Sequence, residues 1–114
     1  MLEVSEERFE ELVGDGLDAL PDEIARLMDN VAVVVEDGRR LDVMGLYEGV
    51  PLTERDDSYG LMAMPDRITI FRRAILAACS TEDEVVAEVR ITVIHEVGHH
   101  FGIDDERLDQ LGWG

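Results

Sequence analysis

The chain has a single cysteine, Cys79, in 114 residues. No disulfide can therefore close within it, and a reducing compartment is expected. Cys79 sits in "ILAACS", the setting of a small buried hydrophobe rather than a nucleophile. Basic residues are scarce: 10 Lys and Arg stand against 27 Asp and Glu, for a formal charge of −17. Such a surface repels phosphate backbones and anionic membranes, so neither nucleic acid nor a membrane is an expected partner. Solvation alone accounts for most of these acids. Long apolar runs are also missing, and nothing approaches membrane-spanning length. The first residues, "MLEVSEERFEELV", are acidic early and lack a basic-then-apolar leader. A soluble, cytoplasmic protein is the expectation. Hydrophobic content of 46% is enough for one core, and residues 1–114 read as one domain.

Periodicity supplies the elements. Ser5 can cap a helix in which Phe9, Leu12, Val13, Leu17 and Leu20 form one buried stripe, with Glu6 and Glu7 suiting its positive end. Gly14 and Gly16 interrupt it and allow a bend or a close approach. Pro21 opens a second helical piece that runs to Asp29. Val31–Asp37 is β-branched and closed by Asp37-Gly38, so it reads as a buried strand. The middle, from Leu41 to Arg67, is rich in turn formers and polar loop residues. "RITIF" (67–71) alternates like a strand, and "RRAILAAC" reads as a short helix. The last long stretch holds a conflict, because "VRITVI" alternates like a strand. About twenty residues between a capping pair, Thr81 and Glu84, and a terminal Gly102 favour a helix. In it, Val86, Val89, Val93 and Val97 share a buried face that Ile94 and Phe101 broaden.

That helix ends in "HEVGHHFGIDDE" (95–106), which holds all three histidines. His95 and His99, four residues apart, point the same way and can bind one zinc ion through ring nitrogens. Glu96 lies about 100° around the helix, placed to take a proton from zinc-bound water rather than to bind the metal. Gly102 lets the chain reverse, so Asp105 can return as a third ligand, with Asp104 as an alternative; water would take the open fourth place. Composition produces a chance H-E-x-x-H in about one such chain in a hundred, and the extended H-E-x-x-H-x-x-G-x-x-D in roughly one in ten thousand. A metal site is therefore favoured over structural histidines. His100 projects toward the valine face, as a core or interface histidine. Glu88 shares the face of His95 two turns earlier, either beside the site or exposed in solvent.

With these residues the chain resembles the zincin metallopeptidases and, more narrowly, the small bacterial group known as mini-zincins. The resemblance rests on "GLYEGVPLTERDDSYGLMAMPDRITIFRR" (45–73) and "HEVGHHFGIDDERLDQLG" (95–112). It implies His95, His99 and Asp105 as zinc ligands, Glu96 as general base, and peptide or protein as substrate. The implied fold is α+β: a small mixed sheet packed on two main helices, one carrying the motif. It also implies a substrate-pairing edge strand within or next to "YGLMAMPDRITIF". The metzincins, which share most of the motif, continue into a second subdomain with a methionine turn beneath the metal. Here only "RLDQLGWG" follows Glu106, and all five methionines come earlier. Leu111 or, better, Trp113 is the candidate floor. Two histidines and one carboxylate hold zinc less tightly than three histidines, so one ion per chain that can be lost is expected. Half a cleft binds peptide weakly, so a homodimer covering the open surface is expected, and the rival to a peptidase is a zincin-derived protein that binds a partner or metal without turnover.

Overall fold

The computed structural model describes residues 2–49 and 65–112. Trp113 and residues 59–64 of the expected edge strand lie outside them. Among the described residues are five helices and three strands, an α+β arrangement. α1 (Glu6–Asp18) begins where the Ser5 side chain accepts the Arg8 N–H, with Glu6 and Glu7 in its first turn. α2 (Asp22–Leu27) follows Pro21 directly. β1 (Val31–Glu36), β2 (Gly45–Glu48) and β3 (Asp66–Phe71) form the sheet, and α3 (Arg72–Ala78) continues from β3 without a loop. α4 (Glu82–His100) carries the motif, and α5 (Asp105–Gln110) closes the described chain.

The sheet order is β1-β3-β2, with β1 parallel and β2 antiparallel to β3. β3 is thus the central strand, and Ile68 and Ile70 are fully buried in it. Among the described residues Asp66–Phe71 has partners on both sides, so this part of the expected edge is the centre of the sheet, and β1 and β2 are the outer strands. Sequence periodicity does not disclose β2. The four residues Gly45–Glu48 are too few to show alternation, and pairing with β3 is what holds them extended.

The α4 conflict resolves as a helix in spite of its β-branched content. Thr81 Oγ1 accepts the Glu84 N–H at 3.1 Å, while the Glu84 carboxylate reaches back to the Ser80 N–H at 2.6 Å. Both caps satisfy donors that a strand would have left to a neighbour. Burial does the rest: Val85, Val89, Val93, Ile94 and Val97 are fully buried. At about 1.5–3 kcal/mol for each such side chain, burial outweighs the few tenths per residue that β-branching costs a helix. α4 packs against α1, α2, α3, α5, β2 and β3. Phe101, expected in the core, is instead 46% exposed beyond the helix end.

Of the two glycines in α1, Gly16 is the close approach. A Cβ there would stand 2.8 Å from Val89 Cγ1 and 3.1 Å from the Val86 carbonyl oxygen, whereas one at Gly14 would meet nothing within 4 Å. The pair makes a sharp test by thermal unfolding. Gly16→Ala is expected to cost about 1–3 kcal/mol through overpacking, and Gly14→Ala to gain about 0.5–1 kcal/mol from helix propensity. Equal melting temperatures for the two variants would contradict this seating of α1 on α4.

Candidate metal centre

The site is made by the way α4 ends. Gly102 has φ +83°, a left-handed conformation that glycine adopts freely. Its N–H bonds to the His99 carbonyl at 3.1 Å, and the Ile103 N–H bonds to the Gly98 carbonyl at 2.7 Å. This is the Schellman pattern, which satisfies the last helical carbonyls while reversing the chain. α5 then starts at once. The Asp104 side chain accepts the Arg107 N–H at 2.8 Å as its N-cap. Leu108, fully buried, drops onto Gly98, where an added Cβ would meet its Cδ2 at 3.2 Å. α5 is thereby pinned beside the last turns of α4, and the residue after the cap, Asp105, faces the histidines.

The two adjacent aspartates are divided between tasks. Asp104 holds the helix, and Asp105 Oδ1 lies 2.7 Å from His99 Nε2 and 3.6 Å from His95 Nδ1. One donor atom from each of His95, His99 and Asp105 fits within 4.8 Å of the others, and the two rings stand 5.8 Å apart between centroids. Two imidazoles and a carboxylate are ordinary zinc donors. A tetrahedral ion with bonds of about 2.0–2.1 Å keeps such atoms about 3.3 Å apart. The observed 2.7 and 3.6 Å bracket that spacing, so a slight withdrawal of Asp105 from His99 is what an ion would require. His95 Nε2 is the one buried side-chain nitrogen or oxygen without a partner among the described residues. An unmet bond of this kind costs about 1–3 kcal/mol; the ring nitrogen that stands near Asp105 is the other one, Nδ1. The residues present fit a divalent ion such as zinc.

Glu96 is half-buried, as is Glu88, and both help line a cleft of about 340 Å³ between α4 and the chain leading into β2, with Asp42 and Met44 opposite. Gly45 brings β2 close: a Cβ there would meet Thr92 Cγ2 at 2.6 Å and Glu96 Cγ at 3.6 Å. No hydrogen bond or ion pair engages the Glu96 carboxylate among the described residues.

His100 corrects the expectation made for it. It turns from the valine face to stack on Tyr47 of β2, with ring centroids 4.0 Å apart, and Phe101 meets both rings edge-on. Tyr47 Oη donates to Asp66 Oδ2 at 2.7 Å, and His100 Nε2 lies 3.8 Å from the same oxygen. Sequence reasoning missed this cluster because it missed β2. Cys79 is buried as expected, and burial raises its thiol pKa, with Glu88 and Glu84 adding to the effect. Leu111 is half-buried at the C-cap of α5.

A family model of zincin-like metallopeptidases matches residues 28–113. The match covers most of the chain, from the end of α2 through the motif helix and beyond, and the chain belongs to that family. Comparison with curated proteins gave no match. Among the described residues no helix is long and apolar enough to cross a membrane.

The division between the two aspartates can be measured without metal. In chelator, Asp104→Ala is expected to cost about 1 kcal/mol by loss of the cap. Asp105→Ala should cost less, since that side chain is 69% exposed and bonds to no backbone group. A larger loss for Asp105→Ala would show that the capping assignment is reversed.

Proposed function

We propose that this protein is a zinc-dependent peptidase in which His95, His99 and Asp105 hold the ion and Glu96 is the general base. One observation carries the reading. Two imidazoles and a carboxylate meet within 4.8 Å at a cleft that His95 and Glu96 both line, in a chain of the zincin-like metallopeptidase family. The chemistry zinc supplies when bound is Lewis acidity, which acidifies water and polarises a carbonyl.

The chain's own residues perform the remaining tasks. Glu96 takes the proton from the attacking water and delivers it to the departing amine. Among the described residues no ion pair competes with that proton transfer. β2 offers the strand edge. Its far side carries no partner among the described residues, so an extended peptide can add to it through backbone hydrogen bonds. The closeness of Gly45 to Thr92 and Glu96 brings that edge against the base, and the peptide bond arrives where the proton is exchanged.

The test combines metal content with turnover. Zinc titration by calorimetry is expected to give about one ion per chain, and His95→Ala or Asp105→Ala should lose most of that affinity. Glu96→Gln should keep the ion and lose hydrolysis by a factor of about 10²–10⁴ on a mixed peptide library. Equal zinc binding by all variants would remove the metal assignment. A wild type that binds zinc yet cleaves no peptide would leave a metal- or peptide-binding protein without turnover.

A further inference from the structure

The attachment of β2 to α4 passes through one side chain. Alternation along the strand turns Gly45 and Tyr47 toward the helix. Leu46 and Glu48 point the other way, Leu46 45% exposed and Glu48 onto Arg67 at 2.6 Å. Gly45 grips nothing. It lets the backbone come close because it has no side chain, and a Cβ there would stand 2.6 Å from Thr92 Cγ2. Gly49, just past the strand, is built the same way; a Cβ on it would meet His100 Cε1 at 3.0 Å. Between the two glycines stands Tyr47, the side chain through which β2 reaches α4.

Its partner is in line with the base. Thr92, Glu96 and His100 recur every four residues and share one stripe of α4. β2 follows that stripe in the direction of the helix, with Gly45 beside Thr92 and Glu96 and with Tyr47 on His100. The two rings lie 4.0 Å apart at 23° to one another, and Phe101 meets both edge-on. Stacked faces fix a separation, because closer approach meets repulsion and withdrawal loses contact. The hydroxyl of Tyr47, donating to Asp66, ties the same ring to the start of β3. The His100 side chain is 37% exposed, so this stack sets a spacing more than it fills a core.

We propose that Tyr47 is a positioning residue: its stack on His100 holds β2 at the separation from α4 at which a peptide added to the strand presents its scissile bond to Glu96. The proposal rests on the peptidase reading above and adds a residue to it. Tyr47 acts through the strand, and the quantity it sets is a distance. A misplacement of about 1 Å can cost about 100-fold in rate, while the backbone hydrogen bonds that bind the peptide move with the strand and survive.

The experiment compares the full-length wild type with Tyr47→Leu, which cannot stack, and Tyr47→Phe, which stacks and lacks only the hydroxyl. With zinc bound, Tyr47→Leu should lower kcat on peptides by about 10–100-fold, with KM and zinc affinity unchanged, and Tyr47→Phe should recover most of the loss. A second readout needs neither metal nor turnover: the carboxyl-carbon NMR resonance of Glu96, identified by its loss in Glu96→Gln, should move in Tyr47→Leu and return in Tyr47→Phe. A Glu96 resonance that stays in place in Tyr47→Leu, or moves equally in Tyr47→Phe, would overturn the proposal. So would a lowered melting temperature with kcat intact, a loss carried by KM, or a fall in zinc affinity that tracks the loss of kcat. A wild type that cleaves no peptide removes the peptidase reading alone, and the Glu96 resonance then decides the role of Tyr47. Should Tyr47→Leu fail to fold, His100→Leu and His100→Phe put the same comparison on the other ring, with the same outcomes deciding.

Discussion

The reversal at Gly102 is the constraint on which the rest of the site depends. A helix that buries five apolar side chains cannot bend to suit a metal, so its geometry has to be completed from outside. Two hydrogen bonds, from Gly102 and Ile103 back into the last turn, turn the chain sharply enough for α5 to begin three residues later. Leu108 against Gly98 then converts the reversal into a fixed position. Remove any of the three and Asp105 has no reason to face His99. A coordinating group is located here by backbone hydrogen bonding and one apolar contact rather than by a long scaffold.

The same economy explains the sheet. α4 packs on β2 and β3 of the described sheet, and α1 packs on α4. The central strand carries the fully buried Ile68 and Ile70, while β2 at the edge pairs with β3 and also borders the cleft. Its inward residues, Gly45 and Tyr47, are specialised in opposite ways. Gly45 lets the strand come close to Thr92 and Glu96, and Tyr47 fills the space beside His100. The edge strand is thus a structural partner and a wall of the site at once.

Much of this was legible in the residues. The caps of α4, the left-handed Gly102 and the shared face of His95 and His99 follow from spacing, because helical geometry is local and repeats. Motif spacing favours Asp105 over Asp104, but helical periodicity gives no support for that choice, since both lie past the helix. The signal that could have decided it was the cap itself: an aspartate before "DERL", with Leu108 placed to be buried, announces a short helix. His100 and Phe101 were misplaced for another reason. A helical wheel gives direction but not what stands in that direction, and β2 was too short to be seen. The alternation of "RITIF" marks a strand without marking its neighbours, so its central place in the described sheet does not follow from it. The one β-branched stretch that favoured the wrong structure was overridden by burial and capping.

The three residues that converge on one point come from a stretch of only eleven, His95 to Asp105, and that locality has a thermodynamic meaning. The core can remain folded while α5 loosens, because α5 packs chiefly on α4, whereas the last turn of α4 is held by His100 and Phe101 against Tyr47. Local opening of this kind proceeds at lower free energy than global unfolding. An ion bound there would act as a clasp on one end of the molecule, and its affinity would include the work of closing that end. The stability of the fold and the readiness of its site are therefore two separate quantities in this protein, and selection could adjust either one alone.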